Sequence, residues 1–408
     1  MNRMSEFCAG GRPRTGGWPA GAHRDALRSV PIIAALLFST ACKRKAEESI
    51  AYASRKVGLV MDVAGRGDQS FNDSALRGLE LWAAGKKYTN HTYRDLSGDE
   101  LQRSIPAELA SLRPPIRKLP VTALVIQAKG QEDYEPSLQL LVEQGAGLTI
   151  ATGFLLQNAL ASVARRNPKV QFLLIDSQLI DSQGKAYSLP NVRTIEFRDQ
   201  EGSFLVGALA GWVTTGGKIG FVGGMEIPVF KKFEAGFRAG VMVANPNAAR
   251  QLLVAYTGSF DNVTVGKRVA QELLSKGVDV IFHAAGSGGL GAIMAVKEGS
   301  DSGRHLYAIG VDSDQWQLAP NAVLTSMIKR VDLVVYQAVR DWVEGKFSGG
   351  DLNLGVKEDA VGYAPIRLEL SGRQQLLDRL EGLRRRVASG EIRVPSTIAE
   401  LNAFRPNP

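Results

Sequence analysis

Asp62, Asp68, Ser70, Phe71 and Asn72 lie close together in the stretch Asp62-Val-Ala-Gly65-Arg-Gly67-Asp68-Gln-Ser70-Phe71-Asn72, at the end of the apolar run 56–63. Two carboxylates, a hydroxyl, an amide and a ring suit a neutral, flat, hydroxyl-bearing molecule. Carboxylates accept from hydroxyls, and a phenyl face stacks on a planar ring. Phosphate chemistry fits badly: Gly65 and Gly67 have no third glycine before the helix, and no GK[ST] ending follows. The same residues also fit a helix cap by Ser70 or Asn72 with Phe71 in the core, and both readings stay open at this point.

More acids close apolar runs. Asp176 ends Phe-Leu-Leu-Ile-Asp, Asp312 ends Ala-Ile-Gly-Val-Asp, and Asp261 follows Gly258-Ser-Phe260, where it fits an N-cap equally well. The turn Ala285-Gly286-Ser-Gly288-Gly289 would let backbone approach a ligand closely and open a helix. Catalysis has little support. His91 and His305 sit in polar loops, His283 ends an apolar strand, and there is no HExxH, CxxC or GxSxG. The acid pairs would suit a hydrolase, which is kept as the enzymatic alternative. No metal or cofactor is expected.

The elements that must position these residues alternate. Strands are expected at 56–63, 123–127, 148–151, 171–176, 218–223, 278–283 and 306–311. Helices are expected at 74–85, 136–144, 155–166, 202–214, 231–244, 264–276 and 289–297. That pattern predicts an α/β protein with two doubly wound parallel-sheet lobes. The first lobe is expected over 56–196 and the second over 197–320. Residues 321–350 would return to lobe 1, and 351–408 would lie on lobe 2 and a multi-strand hinge. The proline-rich stretch 94–120 reads as a surface insertion.

The chain has 408 residues, 44% apolar and 22% charged, with a net charge of +8 and two cysteines. Two lobes agree with a length beyond a single core. Residues 1–41 carry five arginines against Glu6 and Asp25, then the short run Val30–Phe38, which reads as an export signal too short to span a bilayer. Ser39-Thr-Ala-Cys42 resembles a bacterial lipobox, with Ser39 where leucine is usual. Cys42 would then be the lipidated first residue, 42–55 a tether, and the location the cell envelope. Removing 1–41 leaves 44 basic residues against 39 acidic, a net +5, with no long basic run, which speaks against nucleic acid.

Taken together, Asp62…Asp68-Gln-Ser70-Phe71-Asn72 resembles the DxGGxxDxSFN opening of the basic membrane protein (Bmp) family, with Ala64 in place of the first glycine of the pair. Asp133-Tyr-Glu-Pro136, Gly220-Phe-Val-Gly-Gly224, Lys232-Phe233-Glu-Ala-Gly-Phe237, Gly310-Val-Asp312-Ser-Asp314-Gln315 and Thr325-Ser-Met-Ile-Lys329 match in order. The resemblance covers 56–396. It implies a type I periplasmic-binding-protein fold and a substrate-binding lipoprotein serving an ABC permease and its ATPase, expected to be a monomer. The implied ligand is a purine nucleoside between the lobes. Phe71 and Phe233 would sandwich the base, with Phe230 competing for the second place. Asp176 and Asn72 would read the base edge, with Asp62 nearby, and Asp261, Gly286, Asp312 and Lys329 would hold the ribose. Asp68 and Ser70 belong to the same motif and are counted with the site. Riboflavin, a simple sugar, or a sensor role on the same fold are the alternatives.

Overall fold

Apolar runs that do not alternate in polarity give strands buried on both faces, which is why parallel sheets are covered by helices on each side. The computed structural model describes residues 55–405. The export segment, Cys42 and all of the tether but Arg55 lie outside the described residues.

In the first lobe, β1 (Lys56–Met61) leads into α1 (Phe71–Leu76), which continues as a wider π turn over Arg77–Ala83. A hairpin of β2 (Lys86–Thr89) and β3 (Thr92–Asp95) and a short helix α2 (Gly98–Arg103) precede β4 (Thr122–Gln127). Then come α3 (Tyr134–Glu143), β5 (Ala146–Thr152), α4 (Gln157–Arg166), β6 (Gln171–Ile175) and β7 (Val192–Phe197). The chain crosses at Arg198 into α5 (Asp199–Val213), β8 (Ile219–Gly223), α6 (Pro228–Ala244), α7 (Pro246–Arg250) and β9 (Leu253–Tyr256). The second lobe continues with α8 (Val263–Ser275), β10 (Val280–Ala284), α9 (Ser287–Asp301), β11 (Tyr307–Asp312) and β12 (Val323–Lys329). It crosses back at Arg330 into α10 (Val331–Val343) and β13 (Gly350–Leu354), then returns to β14 (Val361–Tyr363), α11 (Arg373–Ala388) and α12 (Ile398–Ala403).

The sheets run β13-β7-β6-β5-β1-β4 and β14-β12-β11-β10-β8-β9, and every pair is parallel except β12 with β14. Strand order reverses beside β1 in one sheet and beside β8 in the other. Loops there diverge to opposite sides and leave a crevice at the strands' carboxyl ends. Within the second lobe, α5 and α6 meet so closely that a Cβ on Gly240 would lie 2.0 Å from the Phe204 carbonyl.

Three expectations need correction. β12 belongs to the second sheet, so the return to lobe 1 begins at Arg330 and not at 321, and β13 keeps residues 350–354 in lobe 1. The stretch 94–120 is more than a surface decoration: Leu109, Ile116 and Leu119 are buried in the main core. The Tyr336 hydroxyl of α10 both accepts from the Arg117 N–H and donates to its carbonyl, and Glu108 pairs with Arg330 at the crossing. Finally, β7 and β9 extend the two sheets where no strand was expected.

Candidate functional site

The loop after β1 is organised by Asp68. Its carboxylate accepts from the Ser70, Asn72 and Asp73 N–H groups at 2.9, 2.8 and 3.0 Å and from Asn72 Nδ2 at 3.1 Å. It therefore caps α1, and the helix start turns Phe71 toward the space between the lobes. Burial and the nearby Asp73 charge push Asp68 up to about 7, against those donors. Asn72 is also committed. Its amide donates to Asp62 Oδ1 at 2.8 Å, and its carbonyl accepts from Thr152 Oγ1 at 3.1 Å. That clamp fixes Asp62, whose own value burial raises.

The opposite wall comes from the second lobe, with Asp176 facing it from the first. Asp312 ends β11 with φ 64°, and Asp176 follows β6 with φ 68°, left-handed conformations that aspartate tolerates better than most residues. Ser70 Oγ donates to Asp312 in a short hydrogen bond that spans the lobes. Burial pushes Asp312 up to about 6, with Lys329 and Ser70 pulling the other way. Gly286 opens α9 at φ 53°, where a Cβ would stand 2.9 Å from the Phe260 carbonyl.

Lys329 is the centre of charge. It is 1% exposed, and its Nζ lies 2.7 Å from Asp176 and 3.2 Å from Asp199. The same nitrogen sits 5.4 Å from the Phe71 ring centre and 5.3 Å from that of Phe233. Burial alone would lower its value, but Asp176, Asp199 and Asp312 together hold it above the ordinary lysine range. Phe233 stacks beside Phe230 at 5.8 Å, and Phe230 in turn packs on Phe260 at 4.8 Å.

These groups line one cleft between the lobes. Asp62, Phe71, Asp176, Phe233, Gly286, Asp312 and Lys329 all line it. Asp68 and Asn72 also border it but are fully buried, with their polar atoms spent on the loop. Ser70 is buried behind the wall and reaches Asp312 instead. Asp261 is a correction, because it is exposed and off the lining, although its charge reaches Asp62.

Sequence reasoning missed Phe154 and Phe260, which line the cleft, and Asp199, which holds Lys329 from behind. Phe154 and Phe260 sit in segments that the family resemblance matched, so a signal was present without a role attached to it. Asp199 opens a helix after a charged loop and looks like an ordinary N-terminal acid. Away from the lining, His283 is fully buried and neutral. Desolvation lowers it to about 4; its Nε2 lies 2.9 Å from Gln315 Oε1 while its Nδ1 is buried without a hydrogen-bond partner, so it is a core histidine only half satisfied.

As a chemical object the cleft has four carboxylates against a single ammonium among the described residues that line it, with rings from both lobes. It can accept from hydroxyls and ring N–H groups, and it disfavours phosphate. Among the described residues no cluster of ligands could hold a metal ion.

A family model described as ABC transporter substrate-binding protein PnrA-like matches residues 55–397. The CD4+ T-cell-stimulating antigen of Listeria monocytogenes is 34% identical over 83% of this chain and 87% of its own length. The ABC transporter nucleoside-binding protein BmpA of Lactococcus lactis is 29% identical over 84% of this chain and 89% of its own. Among solved structures, an ABC transporter solute-binding protein of Aeropyrum pernix superposes with a TM-score of 0.68 at 29% identity. That match covers 86% of this chain and 96% of that one.

Proposed function

This chain belongs to the PnrA-like family of ABC transporter substrate-binding proteins, and on that premise we propose that it captures a purine nucleoside between its lobes for delivery to the permease. The observation that carries this reading is the pairing of aromatic rings from both lobes with a carboxylate wall. A purine presents two faces for Phe71 and Phe233, and ribose presents hydroxyls for Asp312 and its neighbours. A nucleotide would bring negative charge against Asp62, Asp176 and Asp312, which only Lys329 offsets. The nucleoside-binding name of the Lactococcus lactis relative supports the same ligand class.

In this reading Asp68, Ser70 and Asn72 shape the loop and leave direct contact to Asp62 and Phe71. The permease and ATPase are the partners, and the protein acts as a monomer. Cys42 carries the lipid that holds it at the membrane. Among the described residues no helix is long and apolar enough to cross a membrane.

The test is calorimetry of the purified protein with guanosine, inosine, adenosine, riboflavin and ribose, alongside mass spectrometry of any small molecule it carries. A nucleoside at about 100 times its Kd should stabilise the fold by about 2.7 kcal/mol. Binding of riboflavin or a free sugar with no response to any nucleoside would overturn the assignment.

A further inference from the structure

Asp199 stands behind the lining, against the one cation among the described residues that line the cleft. It is fully buried at the start of α5, directly after the first crossing between lobes. Its Oδ1 is within ion-pair distance of Lys329, but neither carboxylate oxygen is aligned with a hydrogen-bond donor. It does not line the cleft, so a ligand there would not touch it.

Lys329 ends β12 on the second lobe, immediately before the second crossing, whereas Asp176 follows β6 on the first. The ammonium thus has one ion-pair partner on each lobe, with Asp312 also facing it from the second. Parting the lobes withdraws Asp176 and leaves Asp199 on the lobe that carries Lys329.

We propose that Asp199 is a positioning residue for ligand capture, the resident counter-ion that keeps the Lys329 ammonium charged and seated while the lobes are open. The inference rests on reading the cleft as the ligand site, but not on the ligand being a nucleoside.

Closing adds a second consequence. Asp176 and Asp199 then share one ammonium in a dry site. Lys232 of α6 reaches Asp199 with a weaker pull, since it is itself 3.1 Å from Glu196 of β7. Asp312 of β11 faces the same ammonium, and Arg198 beside Asp199 is committed to Glu201 and Glu358. Burial pushes Asp199 up to about 8, with Lys329 pulling it down, Asp176 raising it and Lys232 lowering it. Closure therefore takes up a proton. The value is raised in the shut form, so that form gains from the bound proton below pH 8, loses that gain as pH rises toward 8, and has none left above it.

Two measurements test this. The first is the pH profile of Lys329 acylation by acetic anhydride in the ligand-free protein, read by mass spectrometry. In Asp199→Asn the midpoint should fall by about one pH unit or more, and Asp199→Glu should restore it. Identical profiles, or a uniform rise in rate with an unmoved midpoint, would overturn the proposal. The second is ligand affinity from pH 6.5 to 9.5. The wild type should weaken by up to about tenfold per unit as pH rises toward 8 and level off above it, while Asp199→Asn lacks that slope. Parallel curves would also overturn it. If no nucleoside binds, the ligand assignment fails alone and the acylation profile still decides the role of Asp199.

Discussion

Phe71 and Asn72 are neighbours in sequence with separate tasks. The ring of Phe71 lies on the cleft wall, while the Asn72 amide is used up by Asp62, Asp68 and Thr152. Phe71→Ala should weaken nucleoside binding by about 1–3 kcal/mol, the usual worth of stacking one base, with little change in the melting temperature. Asn72→Ala should lower both, because it strands Asp62 and the loop cap together. Calorimetry and thermal melts on the two variants check the split, and equal behaviour would remove it. Residue types and spacing pointed at this scale to a neutral, flat, hydroxyl-bearing ligand. They did not say which polar atoms were already spent. A carboxylate at a helix start serves as cap or as ligand, and only the donor count around Asp68 decides for the cap. Asp261 fails for a related reason: following a matched Gly-Ser-Phe motif does not fix whether a side chain faces the cleft or water.

At the scale of elements, the two sheets were legible wherever strands were apolar on both faces. β1, β6, β8, β10 and β11 are such strands, and their loops carry most of the lining residues. The strands at the margins were hidden. Gly350–Leu354 is polar and largely exposed, as an edge strand can be, and Leu253–Tyr256 is half-buried throughout. The segment 94–120 misled because its prolines and charges outnumber its anchors. Those anchors are nonetheless in the core, so Leu119→Ala should cost about 2–5 kcal/mol of stability. Leu140→Ala, at a side chain 45% exposed on α3, should stay within about 0.5 kcal/mol. Denaturant titrations of both variants separate a packed element from a decoration, and equal small losses would return 94–120 to the surface.

For the whole molecule, the lobes meet through side-chain contacts across the cleft. Ser70 Oγ donates to Asp312, Gln315 Nε2 donates to the Gln69 carbonyl at 3.2 Å, and Arg77 reaches Ser313 Oγ at 3.3 Å. Lys329 pairs with Asp176 across the same gap. Among the described residues, only the segments near Arg198, Arg330 and 355–360 connect the lobes covalently, a layout suited to a hinge that a ligand would close by its differential affinity. Small-angle scattering should show the radius of gyration falling as nucleoside is added. Ser70→Ala removes a donor that Asp312 has only in the shut form, and leaving that buried acid short of a partner costs about 1–3 kcal/mol there. The variant should contract to the same final radius but at a ligand concentration about 5- to 150-fold higher, because the open form loses nothing. A contraction at the wild-type concentration would mean that the Ser70 bond is not part of closure. No contraction in the wild type would mean that the lobes are rigidly shut, in which case the hinge segments position the cleft without moving it.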